Sequence, residues 1–235
     1  MTESGDIATD VTAADAVRWL HEEGLVRLAS VGGRIADPIV AYTIDIATGT
    51  VSVHPATGVG LGSDVVTLSA DDLPQPLGSP KRLFVAGITT GGSVLVVDLA
   101  VADRMAINGD NPEVAARSWV MQLLLNPEIT ITTNSADLAI IDSPRCRHSF
   151  IPGAGATIVT IDDKRPPVTT LTLNSSDDGP EHLDIAVDGG GDMYLGARFW
   201  HLRQIMRVDD DAWEALADQL AAQDEPSSNP ETESS

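Results

Sequence analysis

The chain has 235 residues and a mass of 24.7 kDa, with 14 basic against 35 acidic side chains, a formal charge of −21 and a sequence pI near 4.2. Its two lysines, Lys81 and Lys164, offer no surface for displacing phosphate counterions, and an anionic membrane would repel it, so nucleic-acid and membrane-surface binding are set aside. Hydrophobic residues at 43% and charged residues at 21% are ordinary globular usage, and a chain of this length buries roughly 70% of its unfolded surface, so the acidity belongs to a folded protein.

Residues 1–10 carry almost nothing to bury and read as a disordered tail. The first helix opens at Thr12, whose hydroxyl caps while Asp15 answers as the acid of a capping box. Ala13, Ala16, Val17 and Leu20 follow at helical spacing, and Gly24 ends the helix at the C′ position. Segments 25–29 and 39–46 read as strands, the second pairing with 50–54 across Ala47-Thr48-Gly49. The breaker-rich stretch 55–80 surrounds one short apolar run, 65–68, and reads as a boundary or long surface loop. Segments 82–89 and 93–98 form a second hairpin over Gly91-Gly92, and 105–108 adds a short extended piece. Asn111 then caps the clearest helix, with Pro112 at its first position and Glu113 complementing the dipole. Val114, Ala115, Trp119, Val120, Leu123 and Leu124 give it a broad apolar arc, and Asn126-Pro127 stops it. Strand patterns follow at 129–133, 138–141, 157–161, 168–173, 183–187 and 193–197, the last two joined by a glycine turn from Asp188 to Asp192. Asp211 caps a final helix with Glu214 at N3 and Trp213, Leu216, Ala217 and Leu220 on its buried face, and 223–235 reads as a disordered acidic tail.

About ten short strands and three helices, mostly in hairpins, imply an α+β fold with mainly antiparallel sheets. One βαβ crossover fits at 105–133, where the two strands would lie parallel. The expected organisation is an N-terminal α+β subdomain over 11–78 and a C-terminal α+β domain over 79–222, between the tails 1–10 and 223–235. The N-terminus lacks the pattern of a secretory signal, and no run reaches about 18 apolar residues. The cytoplasm is therefore the default compartment and no membrane insertion is expected. Leaderless export stays open, although none of the four tryptophans is followed by glycine two residues on.

Chemistry-bearing motifs are incomplete. Gly58-Val59-Gly60-Leu61-Gly62 follows a strand, but its third glycine is one residue early for a dinucleotide loop and the next run is strand-like, where an anion needs a helix N-terminus. Neither a Walker A loop nor the hydrolase patterns G-x-S-x-G and S-x-x-K occur. The five histidines never show the spacing that sets two imidazoles on one helix face. The aspartates at 188–192 and 209–211 are accounted for by a turn and a cap, so no metal, no cofactor and no catalytic residue is assigned. The one concentration of nucleophile, base and cation types is Arg145, Cys146, Arg147 and His148, a candidate anion or ligand loop. Its plainer reading is a basic loop after the 138–141 strand with a half-buried single cysteine.

The run GSVLVVDLAVADRMAINGDNPEVAARSWVMQLLLNPEITITTNSADLAI resembles the middle region of large actinobacterial proteins that carry a LysM domain and a bacterial transcriptional activator domain. A hairpin strand ending in Val-Asp-Leu, a Gly-Asp pair before an Ala- and Leu-rich helix, and a following strand carry the likeness. PKRLFVAGITTGG upstream resembles the preceding strand, and LRQIMRVDDDAWEALADQL resembles a closing strand, acidic cap and helix. The likeness covers most of 81–220. This chain has no recognisable LysM domain and no helical-repeat activator domain, so neither peptidoglycan binding nor transcription activation comes with the resemblance.

The expected function is a non-catalytic, acidic protein–protein interaction module, an accessory subunit in an actinobacterial cell-envelope or secretion-related system. The alternative is a small-molecule binder or enzyme with a site assembled from distant loops, such as Gly58 to Gly62, Arg145 to His148 and His201. A protein partner is expected and nucleic acid is not; the oligomeric state is open. An anisotropy titration with DNA or RNA at ~50 mM salt, where electrostatic attraction is exaggerated, is expected to show no saturable binding. Micromolar binding lost on Arg145→Ala with Arg147→Ala would reverse that expectation.

Overall fold

The computed structural model describes residues 11–32, 37–56, 65–141, 143–152, 155–175 and 179–224. Among them are thirteen strands in one mixed, mostly antiparallel sheet and three helical segments, an α+β architecture. Both tails, except Gln223 and Asp224, lie outside the described residues, as do Gly58, Gly60 and Gly62.

The N-terminal helix runs further than its glycine suggests. Thr12 and Asp15 form the expected capping box over α1, Ala13–Trp19. The chain then continues through a single π turn, Leu20–Gly24, into α2, Leu25–Gly32, where a strand is expected over 25–29. Leu25, Leu28 and Ala29 are buried at helical spacing. Gly24 is required by contact: a Cβ there would lie 2.9 Å from the Trp19 ring and 3.0 Å from Leu20. It marks close packing inside a helix and not a stop.

Strands β1 (Ile39–Asp45) and β2 (Thr50–Pro55) form the expected hairpin, closed at Gly49 with φ 66°. β3 (Val66–Ser69) adds an edge strand inside the breaker-rich stretch. β4 (Leu83–Thr89) and β5 (Ser93–Asp98) form the second hairpin, and β1 pairs with β5, so the sheet runs on across position 78/79. β4 and β5 are buried on both faces. Leu83, Val85, Val94 and Val96 pack under α1 and α2, while Phe84, Ala86, Leu95 and Val97 face the larger core.

β6 (Arg104–Asn108) leads to α3, Glu113–Leu124, which starts with Pro112 in the cap position and no side-chain cap hydrogen bond, where Asn111 is the expected cap. β7 (Thr130–Thr133) follows. β6 and β7 run parallel, as the crossover predicts, but β10 and β9 stand between them. Segment 138–141 is no strand: a 3-10 turn, Ala136–Leu138, buries Leu138, and Ile140 tucks into the core while Ile141 points out. β8 (Cys146–His148) pairs parallel with β7 at the sheet edge. β9 (Thr157–Asp162), β10 (Thr169–Leu173), β11 (Glu181–Ile185) and β12 (Gly191–Leu195) lie close to their expected positions. β13, Arg198–Ile205, joins the two halves of the sheet by pairing with β12 and β4. The last helix, α4, is Asp210–Asp224. Its cap is Asp209, not Asp211: the Ala212 N–H donates to the Asp209 carboxylate at 3.0 Å.

Two devices fix the junction of β4, β13 and α3. Where β13 crosses β4, a Cβ on Gly87 would sit 2.4 Å from the Gln204 carbonyl oxygen, so only glycine allows the approach. Past that crossing Gln122 of α3 takes the place of a strand. Its amide donates to the Val85 carbonyl at 3.0 Å and accepts from the Val85 N–H at 2.8 Å. Beside it Trp119 is fully buried, its ring 4.4 Å from that of Phe84.

A buried ion pair ties the β9–β10 turn to the start of β4. Arg82 is 1% exposed and donates to Asp163 at 2.6 Å, the Arg165 carbonyl at 2.7 Å, the Pro167 carbonyl at 2.6 Å and the Thr169 hydroxyl at 3.0 Å. Removing one partner of a buried pair costs about 3–5 kcal/mol because the other charge is left unpaired, so Asp163→Ala is expected to destabilise by that amount in urea unfolding. Trp119→Ala is expected to lose about 3–5 kcal/mol, as for large buried aromatics. A loss under about 1 kcal/mol for either, the scale of an exposed site, would contradict these roles.

Candidate functional site

The four residues of the candidate ligand loop diverge. Cys146 is fully buried, its thiol donating to the Leu138 carbonyl at 3.4 Å, and burial pushes it up to about 11. Arg145 turns under α3, donating to the Leu124 carbonyl at 2.7 Å and the Asn126 carbonyl at 3.3 Å, where it satisfies the end of the helix. Arg147 folds back on the Pro144 carbonyl at 2.6 Å, and His148 donates to the Asn134 carbonyl at 3.2 Å. The segment is a short edge strand and not a loop, and its cysteine is fully and not half buried. His201, on β13, is separated from β8 by six intervening strands, and Gly58 to Gly62 lie outside the described residues.

A second polar group stands on the sheet face turned away from α3. Asn108, Asp184, Asp192 and His201 occupy one row across β6, β11, β12 and β13. His201 donates to Asp192 at 2.6 Å, and His182 lies 3.7 Å from Asp184. The rings of His182, Tyr194 and Phe199 stack across the strands at 4.4 and 4.8 Å. Among the described residues no set of three metal-ligating side chains converges. The row is accounted for as cross-strand pairing.

A concavity of about 720 Å³ lies between α4 and the segment 136–141. Trp213, Ala217, Ala139 and Ile140 form its apolar floor, and Ile141, 84% exposed, stands at its wall. Asp137, Asp210, Glu214 and Asp218 ring it. α4 supplies Asp210, Trp213, Glu214, Ala217 and Asp218 at i, i+3, i+4, i+7 and i+8, so a carboxylate ridge runs beside an apolar one. The one cation in the lining, Arg117, is spent on structure: it pairs with Asp210, donates to the Asp137 carbonyl at 3.4 Å and lies 5.8 Å over the Trp213 ring. The acidic repeat at 210, 214 and 218 is visible in the sequence. Its partner wall, some seventy positions earlier, is brought there only by the packing of α3 against both elements, and the strand expected at 138–141 hides it.

No family model, curated protein or solved structure matches this chain. Among the described residues no helix is long and apolar enough to cross a membrane.

Because its thiol is enclosed and pushed well above neutrality, Cys146 is expected to resist an aromatic disulfide reagent at pH 8 in the native protein and to react once guanidinium unfolds it. Full reaction of the native protein within minutes would show an accessible, activated thiol.

Proposed function

We propose that this protein is a non-catalytic, acidic interaction module that engages a partner protein. The observation that carries this reading is the α4 groove, where the exposed Ile141 stands in a concavity floored by the largely buried Trp213 and Ile140 and rimmed by four carboxylates. Isolated exposed apolar side chains are normal on any surface, whereas one set in a concavity with a charged rim has the anatomy of an interface, an apolar centre inside a polar border. The net charge of −21 supports a partner with a basic or mixed surface and speeds encounter with it. The dispersal of Arg145 to His148, each held by a backbone carbonyl, supports the module over a site assembled from distant loops. The sequence resemblance to a middle region of multidomain actinobacterial proteins supports the role of an accessory subunit in a cell-envelope or secretion-related system, with the cytoplasm as its default compartment.

A photo-crosslinking amino acid placed at Ile141 in the source organism is expected to capture a second, distinct protein. Glu214→Lys with Asp218→Lys is expected to abolish that crosslink, both positions being on the groove rim. A probe at 141 that captures no protein, or captures the same one regardless of the rim charges, would overturn the reading.

A further inference from the structure

Resting on the interaction reading above, we propose that the α4 groove takes a single helical segment of the partner, with Lys or Arg at every fourth position along one edge and alkyl side chains along the next. The carboxylates of Asp210, Glu214 and Asp218 recur every four residues. That spacing is about 6 Å along the axis, and the row of Trp213 and Ala217 runs alongside it. An approaching helix sets its own i, i+4 ridges into the channel between two such rows. A strand fits less well, since α4 has no free backbone groups along its side to satisfy a strand edge.

Charge supports the same occupant. Like charges four apart on one helix repel, and Arg117 relieves only the Asp210 end. Among the described residues Glu214 and Asp218 have no ion-pair partner, and Asp137 faces them from the opposite rim. A cationic helix edge neutralises the free part of this ridge, while its alkyl edge covers Ile141 and the floor. A second copy of this chain would bring another −21 to the contact, which disfavours it.

The probe is a labelled, amidated peptide of Lys, Leu and Ala, about 16 residues long so that it holds a helix on docking, against a scrambled peptide of the same composition. Both are titrated by fluorescence anisotropy into the full chain at ~50 mM salt, where exposed charges are least screened. The amphipathic peptide is expected to bind at least roughly tenfold more tightly than the scrambled one, and Glu214→Lys with Asp218→Lys to weaken it by at least roughly tenfold. Far-UV circular dichroism establishes that the variant is folded. Equal affinity for the two peptides overturns the helical occupant while leaving an acidic interaction surface in place, as does equal affinity of parent and variant. Binding of neither peptide also overturns it, and the crosslink at position 141 then judges the wider reading separately. A dimer in sedimentation velocity that the same variant dissolves would assign the groove to a second copy and overturn the proposal.

Discussion

Arg82 is a cation with almost no contact with water, and much of the architecture is arranged to make that tolerable. An arginine cannot shed its proton, so its burial has to be answered by acceptors. Asp163 answers the charge, and the Arg165 and Pro167 carbonyls with the Thr169 hydroxyl take further donors. Three of the four come from the connection between β9 and β10 and Thr169 opens β10, whereas Arg82 leads into β4 in the other half of the sheet. Thr169 is itself bound to the carbonyls of Leu99 and Ala102, on the turn between β5 and β6. One guanidinium thereby holds three separate connections in register, which apolar packing alone, being non-directional, does not do.

The rest of the sheet divides according to what covers it. Where α1 and α2 lie on one face and α3 on the other, β4 and β5 read as near-continuous apolar runs, and burial is complete on both sides. Beyond β13 the sheet has one covered face, and β10 and β12 alternate buried with half-buried positions. α3 serves both halves, and its placement depends on polar contacts around its C-terminal end. Gln122 stands in for a missing strand at Val85, and Arg145 closes the carbonyls after Leu124. The groove beside α4 follows from this arrangement, since Arg117 of α3 reaches both of its walls.

Local patterning made the two N-terminal hairpins, the α3 helix and the α+β class legible, because alternation, glycine turns and the Pro112 start all agree with the final structure. Sequence reasoning failed where a residue's usual role was overruled by packing. Gly24 reads as a terminator but sits under Trp19 inside a helix, and 25–29 becomes helical because α1 delivers it onto β1, β4 and β5. β13 mixes charged and aromatic residues without clean alternation, Arg198, Phe199, Trp200, His201 and Leu202, and no turn signal separates it cleanly from the acidic stretch 209–211. The side chains of the candidate ligand loop part for a different reason. Residue types suited to chemistry stand next to one another in sequence, but Cys146 faces the core from a three-residue strand while Arg145, just before it, and Arg147 are each drawn to a different carbonyl.

The π turn at Leu20–Gly24 places one more residue in the N-terminal helix than the regular α spiral needs. Without it, every side chain before the turn would be rotated by about 100° relative to those after it, taking Ala16 and Leu20 off the stripe that continues through Leu25 and Leu28. The π turn thus absorbs the extra residue and keeps in phase two half-helices that each fit the sheet. Loss of one residue from this turn would restore regular α hydrogen bonding and leave Ala16, Leu20, Leu25 and Leu28 on one stripe, so the turn stores a residue that the buried face itself does not require.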